Sequence, residues 1–97
     1  MKFTQIIEVD GADEQALRDH IATWDAEESE RAPGYLGARL FIDADRSGRH
    51  VLAVDFASLE QAEENNAREV TAGFAAKLRS LADEEPVYRN LHQVYST

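Results

Sequence analysis

Over the first nine residues apolar and polar positions alternate. Phe3, Gln5, Ile7 and Val9 share one side and Lys2, Thr4, Ile6 and Glu8 the other, which predicts a first strand ended by Asp10-Gly11. From Asp13 the period lengthens. Leu17, Ile21 and Trp24 recur at i, i+4 and i+7, so an amphipathic helix follows with Asp13 as its N-cap. Pro33 and Gly34 end that helix no later than Ala32. Two strands come next, Tyr35 to Asp43 and Arg49 to Ala57, joined by the polar hairpin loop Ala44-Asp45-Arg46-Ser47-Gly48. Ser58-Leu59-Glu60-Gln61 has the spacing of a capping box, and Leu59, Ala62, Asn66, Val70, Phe74, Leu78 and Leu81 then trace one helical stripe. Asn65, Asn66 and Gly73 are weak helix formers, which places a kink or break between residues 64 and 73. Pro86 closes the helical region, and Val87 to Tyr95 is rich in strand formers.

The resulting order is βαββαβ. With right-handed crossovers it gives a ferredoxin-like α+β domain over residues 1–97, a four-stranded antiparallel sheet with the helices on one face. Both faces of the middle strands carry apolar residues: Leu36, Ala38, Leu40 and Ile42 against Tyr35 and Phe41, and Val51, Ala53 and Ala57 against Leu52, Val54 and Phe56. Helices cover one face. A second copy of the sheet is expected to cover the other, making a homodimer that closes into an α/β barrel. The space between sheet and helices is then the natural place for a small apolar ligand.

Composition narrows the function. A chain of 97 residues buries a modest core, and without cysteine it has no disulfide, thiolate metal site or thiol nucleophile. The net charge of −9 opposes a phosphate backbone or an anionic bilayer, so neither nucleic acid nor membrane is an expected partner. An RNA-binding reading of the βαββαβ order fails on the same charge. The polar residues within the first nine interrupt any leader-like apolar run, and a cytoplasmic location is expected.

The three histidines, His20, His50 and His92, have no metal-ligand spacing, and no metal site is expected. His20 sits beside the Leu17 and Ile21 stripe and His50 opens a strand beside a loop. His92, within the last strand, is the candidate catalytic residue: facing the cavity it would hydrogen-bond a ligand or act as a general base, and the alternative is a satisfied structural role. Arg39 and Asp55 are charges within apolar strands; a cross-strand ion pair accounts for them, and in the alternative Arg39 anchors an anionic or phenolic substrate. Asn66, on the helical stripe, needs a partner for its amide, either a backbone carbonyl or a ligand.

Two runs resemble a known family. Ala32-Pro33-Gly34-Tyr35-Leu36-Gly37-Ala38-Arg39-Leu40-Phe41, and Val54-Asp55-Phe56-Ala57-Ser58-Leu59-Glu60-Gln61-Ala62, resemble the dimeric α/β-barrel superfamily that includes antibiotic-biosynthesis monooxygenases. The resemblance implies a barrel dimer and includes cofactor-independent oxygenases, haem-degrading enzymes and proteins without known activity. This chain departs from the haem-degrading pattern: Phe56 stands where that pattern has tryptophan, Asn65 where it has the haem-ligating histidine, and Gln5 near its strand-one asparagine. Haem is therefore disfavoured and no cofactor is expected. Two functions follow. One is a cofactor-independent monooxygenase-like enzyme for a small apolar aromatic molecule, with Gln5, Arg39, Phe56 and Asn66 as substrate-binding candidates and His92 as the catalytic one. The other is a non-catalytic binding or structural dimer.

Overall fold

The computed structural model describes residues 1–97. Strand β1 (Phe3–Asp10) is followed by helix α1 (Glu14–Glu28), strands β2 (Tyr35–Ile42) and β3 (Arg49–Phe56), helices α2 (Leu59–Asn66) and α3 (Glu69–Leu81), and strand β4 (Val87–His92). The sheet order is β2-β3-β1-β4 with every neighbouring pair antiparallel, the ferredoxin-like arrangement. β2, β3 and β4 start where expected but end sooner, at Ile42, Phe56 and His92 rather than Asp43, Ala57 and Tyr95.

Local chemistry starts the first two helices. The Asp13 carboxylate accepts from the Ala16 amide at 3.0 Å, and the Ser58 hydroxyl accepts from the Gln61 amide at 3.2 Å. The Gln61 side chain does not reach back to the backbone as a full capping box would; its Oε1 accepts from the Ser58 hydroxyl. The expected break falls between α2 and α3, at Ala67 and Arg68. It changes the phase of the stripe. On α2 the buried positions are Ala62 and Asn65, and Asn66 is exposed, which corrects the placement of Asn66 on a continuous apolar face.

A second correction concerns β2. Tyr35 pairs with Phe56 and Gly37 with Asp55, so Leu36 is an extra residue in a β-bulge. Gly37 takes φ of 144°, a conformation costly for any residue with a Cβ. The bulge puts Tyr35 on the same face as Ala38, Leu40 and Ile42, where strict alternation had opposed it to them. Ile7, Val9, Leu17, Leu52 and Leu78 form the main core between sheet and helices. Phe3, Phe56 and Ala62 form a smaller one under α2. Between these two clusters the layers part. No helix is long and apolar enough to cross a membrane.

Candidate functional site

The gap between the two clusters is a cavity of about 290 Å³, roofed by α1, α2 and α3 and floored by the sheet. Its size lies near the lower end of the roughly 300–1,000 Å³ typical of small-molecule sites. Ile7, Leu52, Val54 and Phe56 rise from the strands, and Ile21, Phe74, Ala75 and Leu78 descend from the helices. None of the lining residues is Asp, Glu, Lys, Arg or His. The polarity of the wall comes from neutral groups: Gln5, Trp24, Tyr35, Asn65, Asn66, Thr71 and Tyr88.

Several of these groups are already engaged. The Tyr35 hydroxyl donates to the Asp25 carboxylate at 2.7 Å. Burial, reinforced by that carboxylate, pushes the Tyr35 phenol well above its ordinary value, so it stays protonated. Gln5 donates to the Asn90 side chain at 3.3 Å. Trp24 differs: its indole Nε1–H is buried with no acceptor in the protein. An unmet donor of this kind costs about 1–3 kcal/mol. The ring is held at right angles to its neighbours, with its centroid 4.9 Å from Tyr35 and 5.9 Å from Phe74.

Asn65 is 3% exposed and is fixed from behind. Its Oδ1 accepts from Arg68 Nη1 and from the Thr71 hydroxyl, both at 3.2 Å. Because a guanidinium only donates, the oxygen must be the atom facing Arg68, and this sets the amide orientation. Arg68 is in turn held by the buried Glu28 carboxylate. The break in the helix between α2 and α3 is what brings Arg68 and Thr71 round to Asn65. All of the side-chain hydrogen bonds of Asn65 pass through its oxygen, leaving Nδ2 available.

Of the residues singled out from sequence, Gln5, Phe56 and Asn66 line the cavity. Arg39 and His92 do not. Arg39 pairs across β2 and β3 with Ala53, one residue out of phase with the cavity-facing Val54 and Leu52, and so lies on the open face of the sheet. There it meets Asp55 at 3.5 Å, the ion pair anticipated from the strand register. His92 is exposed at the end of β4, its ring edge-on to Phe3 at 5.5 Å, and the placement of a base facing the cavity is corrected accordingly. His20 and His50 are structural: His20 Nε2 bonds the Phe74 carbonyl and His50 Nε2 bonds Glu14, each at 3.0 Å. Trp24 and Asn65 were not among the site residues expected from sequence. The signal for Asn65 was its place within the span, residues 64 to 73, where the helix was expected to break; for Trp24 no local signal separates a satisfied indole from one whose buried N–H lacks an acceptor. No group of three or more histidine or acidic side chains is placed to hold a metal ion.

No protein-family model matches the sequence, and no curated protein matches it. Solved structures do match in shape. An asparagine-to-alanine point mutant of SnoaB, a cofactor-independent oxygenase from Streptomyces nogalater, superposes with a TM-score of 0.77 at 15% identity, covering 98% of this chain and 95% of its own. Rv0793 from Mycobacterium tuberculosis does so with a TM-score of 0.77 at 16% identity, covering 99% and 98%. A structure named antibiotic biosynthesis monooxygenase matches with a TM-score of 0.62 at 15% identity, covering 95% and 99%. The chain thus shares the fold of these structures, several of them named antibiotic biosynthesis monooxygenases, at a sequence distance over which fold alone carries across.

Proposed function

We propose that the cavity binds a small, neutral, largely aromatic molecule, and that the protein acts on it as a cofactor-independent monooxygenase-like enzyme. The observation that carries this reading is the cavity itself: about 290 Å³, apolar, and free of charged side chains. An ionised ligand would lose its hydration there without gaining a counter-charge, so the ligand is neutral when it enters. In oxygenation without a cofactor the substrate supplies every electron. An activated ring methylene that becomes a carbonyl gives up four, enough to reduce one O₂ to the new carbonyl oxygen and one water. Gln5, Phe56 and Asn66 contribute to binding. The protein's part is to desolvate and orient the ring.

Two copies are proposed to pair through the open sheet face, where Phe41, Val87 and Leu91 are each about half exposed. Light scattering should then report twice the 10.9 kDa chain mass.

The test is oxygen consumption with a panel of phenols, quinols and ring ketones bearing activated methylenes. Consumption by the wild type, abolished when Ala75→Trp fills the cavity, supports the enzyme. One observation favours the second reading, a non-catalytic binding dimer: no acid or base lines the cavity, and the Tyr35 phenol is held protonated. Binding of panel compounds with no oxygen uptake above the buffer rate would establish that reading in place of catalysis.

A further inference from the structure

The three roof helices meet at one side chain. Arg68, at the start of α3, donates from Nη2 to the Glu28 carboxylate at the end of α1 and from Nη1 to Asn65 Oδ1 near the end of α2. Neither partner of the ion pair serves its own helix. A cation at a helix N-terminus and an anion at a helix C-terminus both oppose the helix dipole, and those are the places of Arg68 and Glu28. Glu28 is only 7% exposed, which a carboxylate tolerates when it is paired. Arg31 also approaches it, at 3.9 Å, but stands in solvent.

The end of α2 depends on this tie. Its eight residues are fewer than the roughly 12–15 that an isolated helix needs, and its apolar anchors, Leu59 and Ala62, lie in its first half against the Phe3 and Phe56 cluster. Beyond the Ser58 cap, its side-chain hydrogen bonds all pass through Asn65. The cavity meets solvent at the same end. Of its lining residues Asn66, Ala72 and Tyr88 are exposed, the first two on either side of the break and the third on β4. We infer that the junction of α2 and α3 is a gate over the cavity and that the Glu28–Arg68 ion pair is its latch. With the latch made, one guanidinium pins α1, α2 and α3 together; with it released, the end of α2 lifts from the sheet and widens the opening. A role in admitting ligand rests on the cavity being the ligand site.

Hydrogen exchange of the unaltered protein reads the opening without a ligand. The amides of Asn65, Asn66 and Ala67 should exchange faster than those of Ile7 and Leu52, at a rate that low urea leaves unchanged, the mark of local opening. Arg68→Met keeps the aliphatic stem and removes the guanidinium, and Glu28→Gln removes the other charge. Each should speed exchange at those three amides about tenfold, and the double variant no more than either one, as for a single interaction. Arg31→Met should change nothing. A junction that exchanges only with the core, at the core's urea dependence, would overturn the gate, and exchange left at the wild-type rate by Arg68→Met would overturn the latch. Stopped-flow fluorescence with N-phenyl-1-naphthylamine, a neutral aromatic probe, reads the gate in use. Arg68→Met should speed uptake and release alike, about tenfold, with affinity within about twofold, because the latch is closed in both the free and the occupied protein. Affinity lost at an unchanged uptake rate would make Arg68 a support of the wall and overturn the gate. Absence of binding beside the expected exchange would overturn the ligand reading of the cavity but not the opening itself.

Discussion

The two faces of the sheet are built from alternate residues of the same strands, yet they handle polarity in opposite ways. On the covered face the cavity has no charged side chain, and the one buried polar atom of its lining residues without a partner is a neutral donor, the Trp24 indole N–H. On the open face charges are numerous and paired sideways. Asp55 takes Thr4 at 2.6 Å and Arg39 at 3.5 Å; Glu8 takes Arg49 at 3.1 Å and Arg89 at 2.6 Å; Asp10 takes Arg49 at 2.8 Å. A charge paired within its own chain can be covered by another surface with less loss than a lone one. An apolar cavity without charges, by contrast, suits a neutral ligand. The difference teaches that one face is prepared for being covered and the other for being filled.

Substitutions can break this contrast. Phe56 is 2% exposed and joins the cavity wall to the core under α2. Phe56→Ala should cost about 3–5 kcal/mol in urea unfolding, because it removes a buried ring and enlarges a space that cannot fully collapse. Gly34 precedes the bulge with φ of 66°, and an added Cβ would lie 2.6 Å from the Gln61 side-chain oxygen. Gly34→Ala should therefore cost about 2 kcal/mol, read by the same method. On the open face, Phe41→Asp should leave the cavity intact and weaken self-association at least about tenfold, visible by light scattering across a dilution series. The smallest effect is electrostatic. The Arg49 guanidinium bonded to Asp10 holds that carboxyl below its ordinary value of 3.8. The contribution is thus present above pH 3.8 and lost as pH falls below it. Asp10→Asn should flatten the acid limb of a stability profile below that pH and leave stability near neutrality less dependent on Arg49.

Much of the architecture was legible because its signals are local. The change of period at Asp13, the polar loop before Arg49 and the serine at position 58 each fix an element boundary through chemistry within four residues. The site was legible only in part. Gln5 and Phe56 sit on a strand side that simple alternation identifies, and both line the cavity. Alternation also puts Arg39 with Phe41, opposite Ala38 and Leu40 and so off the cavity wall; Asn66 required a helical phase that the stripe alone does not supply. One inserted residue at Leu36 re-phases the start of β2, and the break at Ala67 and Arg68 re-phases the helix, moving burial from Asn66 to Asn65. His92 lies on a strand that ends with it, three residues sooner than its composition suggests, at the margin of the sheet rather than over the cavity. Trp24 could not be singled out from sequence, since the lack of an acceptor for its N–H is a property of the assembled walls.

The bulge at Leu36 also bears on how distant relatives should be compared. Because the surplus residue is absorbed at one point, the strand downstream of Gly37 keeps its pairing with β3 and only Tyr35 and its predecessors are offset. A relative whose second strand is straight would be one residue shorter there, and an ungapped alignment anchored upstream of Tyr35 would match cavity-wall positions with open-face positions from Gly37 onward. At identities of 15–16% such a slip erases the correspondence that matters. A single gap opposite Leu36 restores it, and with it the link between Tyr35 here and whatever residue stands beside the equivalent of Trp24 elsewhere.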